Sequence, residues 1–297
     1  MAALESYASI KLLQELLVTI LVYSVIIVGR RFMSGKKIRC LVMGSHGFLG
    51  EHLVSKLEQL NYEVVRGDRA GTLPSKIDYI FDCATYGNRY DQRNLTQIID
   101  VNILNLANFI NKVKKSELKK HIYISSSAVT LSHQTPYSAS KVLGEFIVGG
   151  LDPGKSLVVR PYTLYGPGDK DHLIPVVFDS CLSGTLFKLD PTPTHDYVYI
   201  DDFVEILVDW AFKDVSGSYV IEIGTHIATT NLEVVQLIEF ITKRKANYEI
   251  ETNQRPYDNK DWKSEYYCPQ IKTDLPSGLI KTYEYIKQGF KKKNTYH

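Results

Sequence analysis

The run Gly44-Ser45-His46-Gly47-Phe48-Leu49-Gly50 separates two segments of different hydrophobic period. Ile38 to Met43, before it, is an apolar run of strand length; Gly50 to Leu60, after it, puts Leu53, Leu57 and Leu60 on one helical face. A glycine triplet at a strand-to-helix turn suits a dinucleotide. Gly44 permits the tight turn, Gly47 lets the backbone approach a pyrophosphate, and Gly50 lets the helix pack closely on the sheet, with the phosphates at the positive end of the helix dipole. By itself such a triplet also fits a plain turn, and it is the strand before it and the helix after it that favour the dinucleotide reading.

Working outward, the same alternation continues. Tyr62 to Arg66, Tyr79 to Cys83, His121 to Ser125 and Leu157 to Arg160 read as strands, and Ile98 to Val113 and Ser140 to Val148 as helices. Right-handed crossovers between them predict an α/β fold, a Rossmann-type doubly wound parallel sheet. Beyond it the chain is richer in Pro and Tyr, which predicts a smaller C-terminal substrate-binding lobe. The expected parts are an apolar N-terminal segment over 1–35, a dinucleotide-binding domain over 36–163 plus 196–224, and the lobe over 164–195 plus 225–297. Val204 to Phe212 and Tyr219 to Ile223 return to the main sheet.

The second strand leads to Asp68, 24 residues after Gly44. A carboxylate there can accept hydrogen bonds from both adenosine ribose hydroxyls and repels a 2′-phosphate, so NAD(H) is expected before NADP(H). Arg66 and Arg69 flank it and keep NADP(H) open, and an ordinary turn carboxylate is the plain alternative.

Composition excludes several classes. The chain has 297 residues, 44% of them hydrophobic, and a net charge of +2 without long basic runs, so a nucleic-acid footprint is not indicated. Cys40, Cys83, Cys181 and Cys268 are far apart, which argues for reduced thiols and against a metal cluster or a disulfide framework. Leu12 to Val28 is strongly apolar and precedes Arg30, Arg31, Lys36 and Lys37. Three readings compete for residues 12–28: a short membrane anchor with a cytoplasmic catalytic part, an amphipathic helix on a membrane or partner, or a dispensable extension with translation starting at Met33.

Tyr137-Ser-Ala-Ser-Lys141 puts a phenol and an ammonium on the same side of one helix. Moving a hydride at a carbinol needs a group that takes the hydroxyl proton or returns it to a ketone, and a nearby cation lowers a phenol's pKa toward that task. Ser125-Ser126-Ser127 ends a strand at the sheet edge where ligands bind in such folds. The plain alternatives are a surface helix pair and ordinary turn chemistry.

Together these residues resemble the extended short-chain dehydrogenase/reductase family, of the NAD-dependent epimerase/dehydratase kind. The likeness runs from Lys37 to about Lys287 and includes Asp82-Cys-Ala-Thr-Tyr-Gly87, Val101-Asn102-Ile103, Tyr123 to Ala128, Val159 to Asp169 and His195 to Asp202. The resemblance implies Tyr137 as acid/base, Lys141 as its assistant and ribose ligand, and Ser127 as the group orienting the sugar hydroxyl or ketone. It implies Phe48, Leu49, Asp68, Ala84, Thr85, Asn102 and Tyr162 around the cofactor, with Thr163 and His195 facing a nucleotide-sugar substrate. Thr163 departs from the usual Asn and His195 from the usual Arg. The chain leaves almost no room between Asp68 and Ile77 for the usual strand beside adenine, and the ten-residue step from Ser127 to Tyr137 is short. Dehydratases of the family carry Thr-Asp-Glu where this chain has Ser-Ser-Ala after Ser125, so an epimerase or a 4-keto-sugar reductase is expected, as a homodimer through the long helices. A catalytically silent dinucleotide-binding regulator and a hydroxysteroid-type dehydrogenase of the same fold are the alternatives.

Overall fold

Strand β1 (Arg39–Met43) lies inside the main sheet, and Cys40 to Met43 are at most 2% exposed. A parallel strand covered on both faces reads as a continuous apolar run, which is why Cys-Leu-Val-Met carries no polar alternation. The computed structural model describes residues 37–294 except 70, 72, 90, 114–116, 152–153, 171, 215–216, 218 and 252–261. The segment 12–28 lies outside them. Among the described residues no helix is long and apolar enough to cross a membrane.

After β1 come helix α1 (Phe48–Gln59), β2 (Glu63–Gly67) and β3 (Tyr79–Asp82). Next are α2 (Leu95–Ile99), a π-helical turn (Asp100–Leu104), α3 (Asn105–Val113) and β4 (Lys120–Ile124). Helix α4 (Pro136–Gly149) leads to β5 (Ser156–Pro161) and β6 (Thr163–Tyr165). The chain continues through α5 (Leu173–Ser183), β7 (Phe187–Leu189), β8 (Thr194–His195), β9 (Tyr197–Tyr199) and α6 (Ile200–Phe212). The last elements are β10 (Tyr219–Ile223), β11 (Thr229–Thr230), α7 (Asn231–Thr242), β12 (Tyr248–Ile250) and α8 (Leu275–Asn294).

The main sheet has the order β10-β5-β4-β3-β1-β2, all parallel. Helices α1 and α6 pack together, and the π-turn packs against α3 and α4. Strand β2 is an edge: the strand that a doubly wound sheet usually adds beyond it is absent among the described residues. Only residues 68–78 connect β2 to β3, too few for another helix and strand, as their spacing in the sequence implied.

Local sequence sets the ends of two functional helices. Thr135 and Ser138 form a reciprocal capping box with Pro136 in the first turn, so α4 begins at Pro136 rather than at the expected Ser140. Asn94 caps α2 through its side chain, and the π-turn interrupts what the sequence suggested was one continuous helix. A second core gathers Tyr165, Ile174, Phe178, Val234, Ile238 and Leu279 among α5, α7 and α8. The small strand pairs β6/β9, β7/β12 and β8/β11 hold its edges.

Candidate active site

The glycine loop closes on backbone. Gly44 has φ +69°, and a Cβ there would lie 2.9 Å from the Ala84 backbone; one on Gly50 would fall on the Gly44 carbonyl. The Gly44 N–H donates to the Gly67 carbonyl and the Gly47 N–H to that of Gly44, at 3.2 and 3.0 Å. Gly47 caps α1 in extended conformation with no side-chain hydrogen bond to the first turn. The turn therefore presents backbone N–H groups at a helix N-terminus, which fits a pyrophosphate. Phe48 and Leu49 open the helix behind it. His52, one turn on, lies within hydrogen-bond distance of the Pro167 carbonyl at 2.8 Å and of Asp201 at 3.2 Å, tying α1 to the chain after β6 and to the start of α6.

At the end of β2, Asp68 is exposed, and one of its oxygens accepts from the Gly71 N–H at 2.7 Å. Arg69 does not share that exposure. It is 4% exposed, its Nε stands 3.0 Å from each Asp82 oxygen, and its Nη1 donates to the Val101 carbonyl at 2.9 Å. Although burial opposes ionisation of Asp82, the charge of Arg69 and the neighbouring His121 hold its carboxyl down to about 2. Arg69 is thus committed to the interior and is not available to a 2′-phosphate.

Tyr137 sits in the first turn of α4. Its hydroxyl lies beside the side chains of Ser126 and Thr85; burial pushes its pKa up to about 12, and those two hydroxyls partly oppose the rise. Ser127, expected at this place, is 1% exposed and its hydroxyl has no partner. Ser126 is half-buried, and its hydroxyl also accepts the Ala128 N–H at 3.1 Å. Lys141 is buried, and its ammonium donates to the Ile124 carbonyl at 2.8 Å and stands 5.9 Å from the Tyr137 ring centroid. Burial first, and the charge of Arg69 second, bring its pKa down to about 7.

Asn102 organises the wall between these two parts. Its amide donates to the Tyr86 carbonyl and the Ser140 hydroxyl at 2.7 and 2.9 Å, while its oxygen accepts from the Tyr86 N–H and the Thr85 hydroxyl at 2.9 and 3.3 Å. At 1% exposure it holds the loop at residues 83–87 in place. That loop meets Gly44 at Ala84 and Tyr137 at Thr85.

Between β5 and β6, Tyr162 is buried and its ring lies 5.7 Å from that of Trp262. Thr163 and His195 approach each other at 3.4 Å, and Trp262 packs edge-on against His195 at 5.7 Å. Asp196, fully buried, accepts from Thr225, His226 and Ser264, fixing the strands and loops around them. Trp262, Asp196 and the Arg69–Asp82 pair were not found from sequence. An acid closing the apolar strand Tyr-Ile-Phe-Asp82 was the available signal, since a buried carboxylate requires a partner. All four cysteines are free thiols, and among the described residues no cluster could hold a metal.

A parallel sheet with a glycine-lined strand-to-helix turn and a Tyr/Lys helix defines a dinucleotide-dependent type of protein. The profile of the NAD dependent epimerase/dehydratase family matches residues 40–224, and the chain belongs to that family. It is 24% identical, over 83% of its length and 98% of the relative's, to a Methanocaldococcus jannaschii protein provisionally named a UDP-glucose 4-epimerase. Human sterol-4-alpha-carboxylate 3-dehydrogenase, decarboxylating, is 26% identical over 50% of each chain. Among solved structures, MoeE5 in complex with UDP-glucose and NAD superposes with a TM-score of 0.77 at 21% identity, covering 85% of this chain and 99% of the other. The Thermotoga maritima UDP-glucose 4-epimerase with UDP-glucose gives 0.71 at 22% identity, covering 85% and 100%.

Proposed function

We propose that the chain is an NAD(H)-dependent enzyme that oxidises and re-reduces, or only reduces, a carbinol or ketone carbon of a nucleotide sugar. The observation that carries this is the shared wall at residues 83–87, which joins the Gly44 turn through Ala84 to the Tyr137 hydroxyl through Thr85. A pyrophosphate cradle and a proton-transferring phenol are thereby fixed in one frame. When bound, the nicotinamide accepts or returns the hydride. Tyr137 takes the hydroxyl proton during oxidation and returns it during reduction, Ser126 orients the same oxygen, and Lys141, when protonated, stabilises the phenolate. Asp68 receives the adenosine ribose, and the inward commitment of Arg69 supports NAD(H) over NADP(H). Asn102 acts here as the support of Thr85 and Tyr86, its four hydrogen bonds being spent on the protein. Tyr162, Thr163 and His195, backed by Trp262, face the sugar nucleotide.

Two relatives bearing UDP-sugar names and a solved structure holding a UDP-sugar with NAD support a nucleotide sugar as substrate. The sterol dehydrogenase relative keeps a hydroxysteroid substrate in the test panel. Purified protein is expected to bind NADH and to turn over one of a panel of UDP-hexoses or 4-keto nucleotide sugars. Tyr137→Phe is expected to lower turnover at least 100-fold while NADH affinity stays within about twofold. Turnover of 3β-hydroxysteroids alone would overturn the substrate, cofactor binding without any turnover would leave a silent regulator, and full activity of Tyr137→Phe would remove that residue from the mechanism.

A further inference from the structure

Asp68 stands at the weakest place in the sheet. Strand β2 is the sheet's last strand, and the connection 68–78 that follows it contains neither helix nor strand among its described residues. No ladder therefore holds the backbone that carries this carboxylate. Among its described residues the far end is anchored, with Ile77 buried in the core and the Asp78 N–H donating to the Arg39 carbonyl at 3.0 Å, whereas nearer Asp68 the backbone has only exposed ties, Lys112 to the Gly71 carbonyl at 3.1 Å and Arg39 to the Ser75 carbonyl at 2.7 Å. At its start the buried tie is Arg69, the next residue after Asp68. From there the side chain reaches Asp82 at the end of β3 and the Val101 carbonyl in the π-turn.

The tie is a buried ionic site. Asp82 is 0% exposed; besides Arg69 it receives the Ala84 N–H at 3.3 Å and has His121 Nε2 at 3.4 Å. The guanidinium Nη2 adds an ion-pair contact at 2.9 Å, and its Cζ lies 5.8 Å from the centroid of the Tyr123 ring. A buried ion pair of this kind adds little net stability compared with apolar residues of similar volume, so its use must be sought elsewhere. Its geometry gives one: it fixes the start of the connection, which no strand ladder holds, to the end of β3 and to the π-turn beside the cofactor wall.

We infer that Arg69, gripped by Asp82, is a positioning residue that holds Asp68 in place for the cofactor ribose, doing the work of the missing neighbouring strand. This rests on the reading of Asp68 as the ribose ligand given above. The pair does not touch the cofactor; it acts through the adjacent carboxylate. The consequence is that changes at Arg69 and Asp82 reach cofactor affinity and NAD(H)/NADP(H) choice, besides the charge they place near Lys141, while changes at Tyr137 and Ser126 reach turnover and leave that affinity in place.

The test uses the full chain and titrates NADH and NADPH by their fluorescence. In Arg69→Met/Asp82→Leu both charges are replaced by apolar side chains, so that folding is retained, checked by an unchanged melting temperature. The NADH Kd is expected to rise about tenfold, the loss of a well-placed charge-assisted hydrogen bond, and the NADH preference over NADPH to shrink. Asp68→Asn is expected to do the same, and adding it to the double variant to cost nothing further, because both changes remove one interaction. Unchanged Kd values, or full additivity, would overturn the inference. Should the double variant fail to fold, Arg69→Lys, which keeps a positive charge opposite Asp82 and gives up the forked contact, is read in the same cycle. Failure of the wild-type chain to bind NADH is a different outcome and would sink the cofactor reading itself.

Discussion

Lys141 is the residue whose charge the fold opposes most directly. An ammonium in the interior loses its hydration, and the nearby Arg69 adds repulsion; Asp82 and Glu145 give back only part, leaving its pKa near 7. In the unfolded chain a lysine holds its proton up to about 10.4. Between pH 7 and that value the unfolded state therefore binds more protons, so this lysine's contribution to stability rises with pH across the window. Without cofactor, the wild-type melting temperature is expected to gain more from pH 7 to 9 than that of Lys141→Met; equal gains would show that the lysine stays charged when folded. The serine triplet gives a second residue-scale prediction. Ser126→Ala should lower turnover at least tenfold with little change in NADH affinity, whereas Ser127→Ala, whose hydroxyl is buried and unpartnered, should leave kcat within about twofold. The reverse order would restore Ser127 to the role the family resemblance suggested. Side chains alternate direction as a strand ends, so three consecutive serines could not be told apart before the end of β4 was known to lie at Ile124. Tyr137 and Lys141 were legible because their spacing is a property of one helix, whereas Arg69 and Asp82 are thirteen residues apart and meet only in the folded chain.

Helix α4 carries the proton-transferring tyrosine, and its seat on the sheet depends on one small residue. A Cβ on Gly144 would collide with the Tyr123 hydroxyl, while one on Gly149 meets nothing within 4 Å. Gly144→Ala is therefore expected to destabilise the protein by about 1–3 kcal/mol in denaturant titration, as overpacking does. Gly149→Ala should be neutral or stabilising by up to about 1 kcal/mol, through reduced freedom of the unfolded chain. Equal effects would mean that α4 can shift on the sheet. The element order was largely readable because β1, β3, β4 and β5 are buried apolar runs and the helices have clear apolar faces. Element ends were less so. The start of α4 was written in Thr135-Pro136, yet periodicity alone placed it four residues late. The π-turn was not legible at all, since the apolar stripe of Ile98, Leu106 and Phe109 persists through it and hides the extra backbone residue that aims Asn102 at the loop.

Across the whole molecule, the face formed by α2, the π-turn and α4 is unusually apolar. Leu95, Ile99, Leu104, Leu143 and Phe146 are 56, 39, 51, 43 and 76% exposed, and they sit on elements that pack against one another beside the main sheet. Single exposed apolar side chains are ordinary, but five on adjoining helices form a surface of the sort that associates. A helical face can meet its own copy about a twofold axis, each Phe146 and Leu104 entering the partner's surface, which is the simplest closed arrangement for one chain. The homodimer through these helices, expected from the family resemblance, is therefore proposed for this chain. Light scattering coupled to size exclusion should give a dimer mass at micromolar concentration. The double change Leu104→Lys/Phe146→Lys puts charge onto a surface where desolvated lysine is costly, and should yield a monomer with an unchanged circular-dichroism spectrum. Since α4 also carries Tyr137 and Lys141, that monomer should retain NADH binding but lose turnover as the helix loosens. A monomeric wild-type chain would overturn the dimer, and a dimer indifferent to both lysines would place the association elsewhere.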